Sequence, residues 1–150
     1  MKTRYSLIAL GALVALSQSA LAQRGSSGHV NVIYWQAPSI LNPYLSGGTK
    51  DLEASSLILD PLIKFNEKGE MVANLVTDVP TVANGGFAAD FRCITYKLKA
   101  GLKWSDGSPL TASDVVFSWE YCTGIKGCAK ANAFEPVEKV TAVDAHTVRI

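Results

Sequence analysis

The stretch Leu98–Tyr121, LKAGLKWSDGSPLTASDVVFSWEY, is the most informative part of the chain about its fold. It contains the pair Asp106-Gly107, which favours a tight turn because glycine adopts positive φ without steric cost. Thr111, followed three residues later by Asp114, resembles a capping box in which aspartate replaces glutamate. The stretch therefore predicts a turn followed by a helix that begins at Thr111 and ends near its last residue.

Short strands are predicted on both sides of this stretch. Arg92–Lys99 alternates apolar and polar residues, which is typical of a half-buried strand. Leu62–Phe65 and Met71–Ala73 flank the tetrapeptide NEKG, a pattern that indicates a hairpin. Val137–Val143 and Thr147–Ile150 flank a second turn. These patterns predict a mixed α/β fold with many short strands.

The segment preceding the first hairpin contains one further strand and one further helix in this interpretation. Val30–Trp35 is rich in β-branched and aromatic residues and is predicted to be a strand. A helix is predicted over Lys50–Asp60, with Thr49 as its N-cap and Pro61 as its stop signal. Asn84-Gly85-Gly86 predicts another turn.

The first 22 residues have the pattern of a secretory signal peptide. Two basic residues precede the apolar run Ser6–Leu16, and Ala20 and Ala22 form an A-x-A cleavage site. The run is too short for a transmembrane anchor, which needs about 20 apolar residues. Cleavage after Ala22 would leave Gln23 first, with no cysteine for lipid attachment. We therefore expect a free periplasmic protein.

Composition and charge exclude some functional classes for the remaining residues 23–150. The whole chain carries 14 basic and 13 acidic residues, and the charges are interspersed. A nucleic-acid-binding protein would show a basic face, so we expect no nucleic-acid partner. The last residues, Thr147–Ile150, form a predicted strand with no turn or cap after it. Residues 23–150 are thus expected to be the truncated N-terminal portion of a longer protein.

Three cysteines, Cys93, Cys122 and Cys128, leave three options open. Export permits a disulfide, and Cys122 and Cys128 flank a glycine-containing turn that would let them pair. Free thiols are the second option. Metal binding is the third, although two cysteines six residues apart without partner ligands match zinc sites poorly. Cys93 is predicted to be a buried residue within a strand.

No convincing catalytic motif occurs in the sequence. Asp106 and Asp114 are explained by a turn and a helix cap, and His29 and His146 have no evident partner. Ser46-Gly47-Gly48-Thr49 precedes a predicted helix, whose free N–H groups would favour a carboxylate or phosphate ligand. Helix capping and chain flexibility explain the same four residues without a ligand.

Four ordered blocks resemble the family 5 extracellular solute-binding proteins, the receptors of ABC importers for peptides, dipeptides and nickel. Leu98–Tyr121 resembles the family signature. Ile40–Pro43 resembles its L-D-P motif, with asparagine in place of aspartate. Leu59–Gly69 resembles its G-L-x-x-x-D-x-x-G hairpin, with Pro61 where glycine is usual. Val137–Val148 resembles its V-x-x-V-D-D-x-T-V hairpin.

The resemblance implies a fold and a binding site. The fold is that of a type II periplasmic binding protein, of which this chain would supply the N-terminal part of lobe I. The loop after the L-x-P block lines the ligand cleft in the family, and the region after the signature helix approaches it. The implied ligand-binding residues are Ser46, Gly47, Gly48 and Thr49, with Gly127 and Cys128 nearby.

The implied function is capture of a peptide and its delivery to an inner-membrane ABC permease. The receptor is expected to be monomeric, to use no cofactor or metal and to catalyse no reaction. A nickel chelate or an oligosaccharide is the alternative ligand within the family. A secreted enzyme with catalytic residues beyond Ile150, or a receptor that signals to a membrane sensor without transport, remain rival interpretations.

Overall fold

The computed structural model describes residue 28 and residues 31–150, so the predicted signal peptide and its cleavage site at Ala22 lie outside the described residues. Residues 36–150 form one compact unit. This unit contains α1 (Thr49–Ser55), β1 (Ile63–Phe65), β2 (Met71–Ala73), β3 (Thr95–Lys97), α2 (Ala112–Gly124), α3 (Ala131–Phe134), β4 (Thr141–Asp144) and β5 (Thr147–Arg149). The prediction of a mixed α/β fold is confirmed.

The described strands form two antiparallel sheets. β1 and β2 form the predicted hairpin, with Phe65 opposite Met71, and Gly69 adopts a φ of 78° in its turn. The second sheet has the order β3-β5-β4, in which Tyr96 lies opposite Val148. The strand predicted from Val137 begins only at Thr141, because the Val137 amide donates to the Phe134 carbonyl in the turn after α3.

Helix α2 begins as the sequence predicts. The Thr111 amide donates to Asp114 Oδ2 at 2.7 Å, and the reciprocal capping-box bond is also present. Before the helix, the Gly107 amide donates to the Trp104 carbonyl at 2.9 Å and Gly107 has a φ of 88°. The helix continues to Gly124, three residues past the predicted end. The turn and the cap therefore fix where the helix starts and the direction in which it leaves the sheet.

The hydrophobic core lies between α2 and the three-stranded sheet. Its fully buried members are Val76, Leu98, Ala112, Val140 and Val148. Val115, Val116 and Trp119 of α2 pack against this cluster. Phe117 is 63% exposed, because it lies on the opposite side of the helix.

The predicted strand over Val30–Trp35 is wrong for its described residues. Residues 31–35 have no regular secondary structure, and the Ile33 side chain is 98% exposed. β-branched and aromatic residues favour a strand only when a neighbouring strand supplies hydrogen bonds and packing. The local pattern was therefore insufficient to specify a strand here.

Helix α1 is shorter than predicted and has a different N-cap. It ends at Ser55 instead of Asp60, and Gly48, not Thr49, is the N-cap residue. The hydroxyls of Ser55 and Ser56 donate to the carbonyls of Asp51 and Glu53 at 2.6 and 2.7 Å. Such local side-chain bonds compete with helix continuation, which explains the early end.

A disulfide joins Cys122 to Cys128, whose Cα atoms are 5.3 Å apart. Cys122 is fully buried in the last turn of α2. Cys93 is half-buried and precedes β3, so its predicted place inside a strand was wrong. The chain bends at residues 90–92, just before Cys93, because Phe91 has a φ of 55° and the Arg92 amide donates to Asp90 Oδ1.

Candidate functional site

A loop over residues 39–48, here the 39–48 loop, precedes α1 and is held by one carboxylate. Asp51 Oδ1 accepts hydrogen bonds from the amides of Ser39 and Ile40 at 2.6 and 3.3 Å. Asp51 Oδ2 accepts the hydroxyl proton of Ser46 at 2.6 Å. The same carboxylate therefore contacts both ends of the loop.

The Asp51 side chain is buried and charged. The residue is only 3% exposed, and Lys50 Nζ lies 3.1 Å from Oδ1. Lys50 Nζ also donates to the Ser39 hydroxyl. The Ser46 hydroxyl and then the Ser39 amide hold the pKa of Asp51 well below its usual value, against the opposing effect of desolvation. The carboxylate is therefore ionised throughout the physiological pH range.

The four residues predicted to bind ligand lie together at the end of the 39–48 loop and the start of α1. The Ser46 hydroxyl donates a hydrogen bond to Asp51 Oδ2, and its oxygen accepts one from the Gly48 amide at 3.1 Å. Gly47, Gly48 and Thr49 are exposed. A Cβ atom added to Gly47 would meet no atom within 4 Å. The loop thus exposes backbone groups to solvent, while the hydrogen bonds of Ser46 hold it to Asp51 and to Gly48.

The charge at the start of α1 is set by an ion pair. Asp51 places a negative charge in the first turn of this helix, and Lys50 Nζ lies 3.1 Å from its Oδ1. The exposed backbone of Gly47 and Gly48 therefore lies beside a balanced pair of charges.

The region after α2 contacts the same loop. The Ala129 amide donates to the Tyr44 carbonyl at 2.7 Å, directly after Cys128 of the disulfide. The Tyr44 ring lies 6.4 Å from the Tyr121 ring and 6.3 Å from the Phe134 ring, centroid to centroid. The structure therefore brings together the two regions that the family resemblance implied, near residues 46–49 and near Cys128.

A groove of about 330 Å³ runs beside the 39–48 loop. Its polar atoms include Asn42 Nδ2, which donates to the Tyr121 hydroxyl at 3.4 Å. The groove is lined by Leu41, Asn42, Pro43, Tyr44, Leu59, Phe117, Ser118 and Tyr121. Apolar walls with a few polar atoms are typical of small-ligand sites.

Sequence reasoning missed Asp51 and Tyr121 as parts of this site. Asp51 was placed only within the predicted helix Lys50–Asp60, and Tyr121 only marked the end of the signature helix. A signal for Asp51 was present, because an aspartate in a first helical turn can accept bonds from the preceding loop. No sequence signal linked Tyr121 to Asn42, since 79 residues separate them.

The carboxylates considered for catalysis have separate structural partners. Asp106 accepts the Ser108 amide and hydroxyl, whereas Asp114 accepts the Thr111 amide. The His146 amide donates to Asp144 Oδ1 within the β4–β5 turn. Among residue 28 and residues 31–150, no group of three histidine, cysteine or acidic residues is arranged to hold a metal ion.

Within the same described residues, the helices are all too short or too polar to cross a lipid bilayer.

Comparison with known proteins gives consistent matches. A family model described as bacterial extracellular solute-binding proteins, family 5 Middle, matches residues 77–150. The periplasmic murein peptide-binding protein MppA of Escherichia coli (strain K12) is 31% identical over 131 residues, which cover 75% of this chain and 23% of MppA.

Solved structures extend the comparison to the fold. MppA in its unliganded open form aligns with a TM-score of 0.60 and 29% identity, over 78% of this chain and 25% of MppA. MoaA of Agrobacterium tumefaciens R10 in complex with mannopinic acid aligns with a TM-score of 0.60 and 32% identity, over 73% of this chain and 22% of MoaA. The chain spans about a quarter of the length of these proteins.

Proposed function

The chain belongs to the bacterial extracellular solute-binding proteins of family 5, and on this basis we propose that it is part of a periplasmic receptor that captures peptides for an ABC importer. MppA, whose name states that it binds murein peptide, is 31% identical over most of this chain. The proposed ligand is therefore a short peptide, and the proposed partner is the inner-membrane permease that receives it.

The observation that carries the proposal is the exposed backbone at Gly47 and Gly48 on a loop fixed by a buried carboxylate. A peptide can be recognised through main-chain hydrogen bonds that do not depend on its side chains. Such bonds require a receptor backbone that a ligand can approach closely and that loses little freedom on binding. The absence of any atom within 4 Å of a Cβ at Gly47 meets the first requirement. The bonds from Ser39 and Ser46 to Asp51 meet the second.

Export supports the same assignment. The signal-peptide pattern of residues 1–22 would deliver the protein to the periplasm, and the absence of cysteine at position 23 favours a protein without a lipid anchor. The relative MppA is named as a periplasmic protein. We therefore place the receptor in the periplasm as a free monomer that meets its solute before the permease does.

A non-peptide solute is the second candidate. MoaA, the structure with mannopinic acid, is 32% identical over 73% of this chain, so a small polar solute is compatible with this part of the family. Nickel chelates and oligosaccharides belong to the same alternative. The groove beside the 39–48 loop, at about 330 Å³, is in the range of a small-molecule pocket.

Isothermal titration calorimetry on the full-length receptor distinguishes these candidates. The full-length protein is required because large apolar side chains such as Phe65, Met71 and Phe117 are more than half exposed in this part alone. We expect binding of tripeptides or tetrapeptides in preference to mannopinic acid, a nickel–histidine chelate or an oligosaccharide. Tight binding of one of the latter, with no heat from any peptide, would contradict the peptide assignment.

A matched pair of variants tests the location of the site. Gly47→Leu places a large side chain on the exposed loop backbone without internal contact. Gly124→Leu is the control, because a Cβ there also meets no atom within 4 Å and the residue ends α2 instead of lying in the loop. We expect peptide affinity to fall more than about tenfold only for Gly47→Leu. Equal affinities of the two variants would remove the loop from the site.

A further inference from the structure

The 39–48 loop has little regular backbone structure of its own. Within it, the Leu45 amide donates to the Asn42 carbonyl at 3.1 Å, and no residue from 39 to 48 belongs to a described helix or strand. A loop without a hydrogen-bonded ladder is held by side chains, by packing or by water. Three hydrogen bonds from this loop, donated by Ser39, Ile40 and Ser46, converge on Asp51.

Three of the four donors to the Asp51 carboxylate belong to the loop, and the fourth is the Lys50 side chain of α1. An acidic residue at the third helical position usually bonds the N-cap amide. Here the amide of the N-cap residue Gly48 donates to Ser46 Oγ instead, at 3.1 Å. The oxygens of Asp51 accept from Ser39, Ile40, Ser46 and the Lys50 side chain. Helix capping alone therefore does not explain the position of Asp51.

The carboxylate lies directly beneath the backbone that the proposed ligand would contact. A Cβ built on Gly48 would lie 3.4 Å from Ser46 Oγ and 3.6 Å from Asp51 Oδ2. Ser46 connects the two, because its hydroxyl donates to Asp51 while its oxygen accepts from the Gly48 amide. A chain of two hydrogen bonds thus joins the buried charge to the exposed loop.

We propose that Asp51 is the positioning residue of the binding loop, which fixes the backbone of Gly47 and Gly48 through Ser46 in the conformation that accepts a ligand. The inference rests on the proposed function of this loop. Asp51 does not touch the ligand in this arrangement, because it is 3% exposed and its oxygens are occupied by protein donors. Its contribution is the preorganisation that reduces the cost of ordering the loop on binding.

The test combines calorimetry with hydrogen exchange on the full-length receptor, using the tripeptide that the wild-type protein binds best. Asp51→Asn keeps the side-chain size but removes the charge and places an NH₂ group among donors. We expect about tenfold weaker binding for Asp51→Asn and about threefold for Ser46→Ala. The double variant should bind about as weakly as Asp51→Asn alone, because both residues act through one hydrogen bond.

Hydrogen exchange separates positioning from a general loss of stability. In Asp51→Asn the amides of Ser39, Ile40 and Gly48 should exchange faster, while those of β1 and β2 keep their wild-type rates. Asp106→Asn is the matched control, since Asp106 also accepts a serine amide and hydroxyl but lies outside the loop. Its tripeptide affinity should equal that of the wild type.

Two results would overturn the proposal. Wild-type affinity in Asp51→Asn together with faster exchange of the loop amides would show that the loop is fixed by Asp51 but does not bind the ligand. Weaker binding with unchanged loop exchange would show that Asp51 acts by another route. If Asp51→Asn does not fold, Ser46→Ala decides the matter by the same two measurements.

A wild-type receptor that binds none of the peptides and none of the other solutes refutes the proposed function itself, and this proposal with it.

Discussion

The sheet and helix around Leu98–Tyr121 and the 39–48 loop are stabilised in different ways. In the first region, backbone ladders, a capping box and the buried residues Leu98 and Val148 hold the chain. In the second region, a buried carboxylate accepts three hydrogen bonds from a loop with almost no ladder, and Asn42 and the Ala129 amide supply further contacts. The first region is stabilised mainly by ladders and apolar packing, whereas the second relies more heavily on one charged side chain.

This difference separates stability from binding. Removing apolar volume from the core should lower the free energy of unfolding and leave the loop geometry intact. Removing the charge at Asp51 should alter the loop and leave the core intact. The family signature, which covers the first region, is therefore an architectural element, and the proposed binding surface lies outside that signature.

The largest expected effect comes from Leu98→Ala in the core. Leu98 is 3% exposed, and loss of its side chain leaves a cavity that should destabilise the full-length protein by about 2–5 kcal/mol. Urea unfolding measures this change, and calorimetry should give the wild-type peptide affinity well below the unfolding midpoint. A large loss of affinity without loss of stability would erase the distinction between the two regions.

The next effect concerns the disulfide between Cys122 and Cys128, which lies where the two regions meet. Replacing both cysteines by serine should lower the free energy of unfolding by about 2 kcal/mol, because the bridge restricts the unfolded chain. Thiol titration of denatured, unreduced protein should detect one thiol among Cys93, Cys122 and Cys128. Detection of three thiols would rule out the bridge in the native protein.

A smaller effect distinguishes the starts of the two helices. Thr111→Ala removes a capping-box residue of α2 and should cost about 1 kcal/mol. Thr49→Ala is the control at the start of α1, where Gly48 is the N-cap and the cap makes no side-chain bond. Its unfolding free energy should stay close to that of the wild type. Equal losses for both variants would indicate that Thr49 caps α1 in solution.

The smallest effect is expected on mild acidification. The pKa of Asp51 is lower in the folded protein than its usual value of about 3.9 in an unfolded chain. Its contribution to stability is therefore complete above that value and is lost as the pH falls through it toward the folded pKa. Between about pH 5 and pH 3.5, where an unfolded aspartate begins to take up its proton, wild-type protein should lose slightly more stability than Asp51→Asn. Parallel profiles for the two proteins would show that the low pKa of Asp51 does not stabilise the fold.

Sequence patterns predicted those elements whose cause is local. The turn at Gly69, the turn at Gly107 and the capping box at Thr111 each depend on neighbours within a few residues, and each was found. The strand predicted up to Trp35 failed because strand formation requires a partner elsewhere in the chain. Helix α1 was predicted too long because the hydroxyls of Ser55 and Ser56 bond back to the helix carbonyls.

The sequence proposed where the candidate site lies, but it did not predict which side chains hold that loop in place. The glycines at 47 and 48 were identified from the family resemblance and their position before a helix. Whether Thr49 would cap that helix, and whether Asp51 would bond to it or to the loop, depends on how close Ser39 and Ile40 come in space. Eleven or twelve residues separate them from Asp51, beyond the reach of any local rule.

The sequence by itself determined the family, the mixed α/β elements, and the signature turn and helix, and it supplied the four residues proposed to bind ligand. Only the tertiary structure decided that Asp51 is buried against that loop, and that the Ala129 amide meets the Tyr44 carbonyl. Turns and caps follow from bonds between neighbours in the chain, which a sequence displays directly. A buried charge requires hydrogen-bond donors around it, and donors that are distant in the sequence come close to it only in the folded chain.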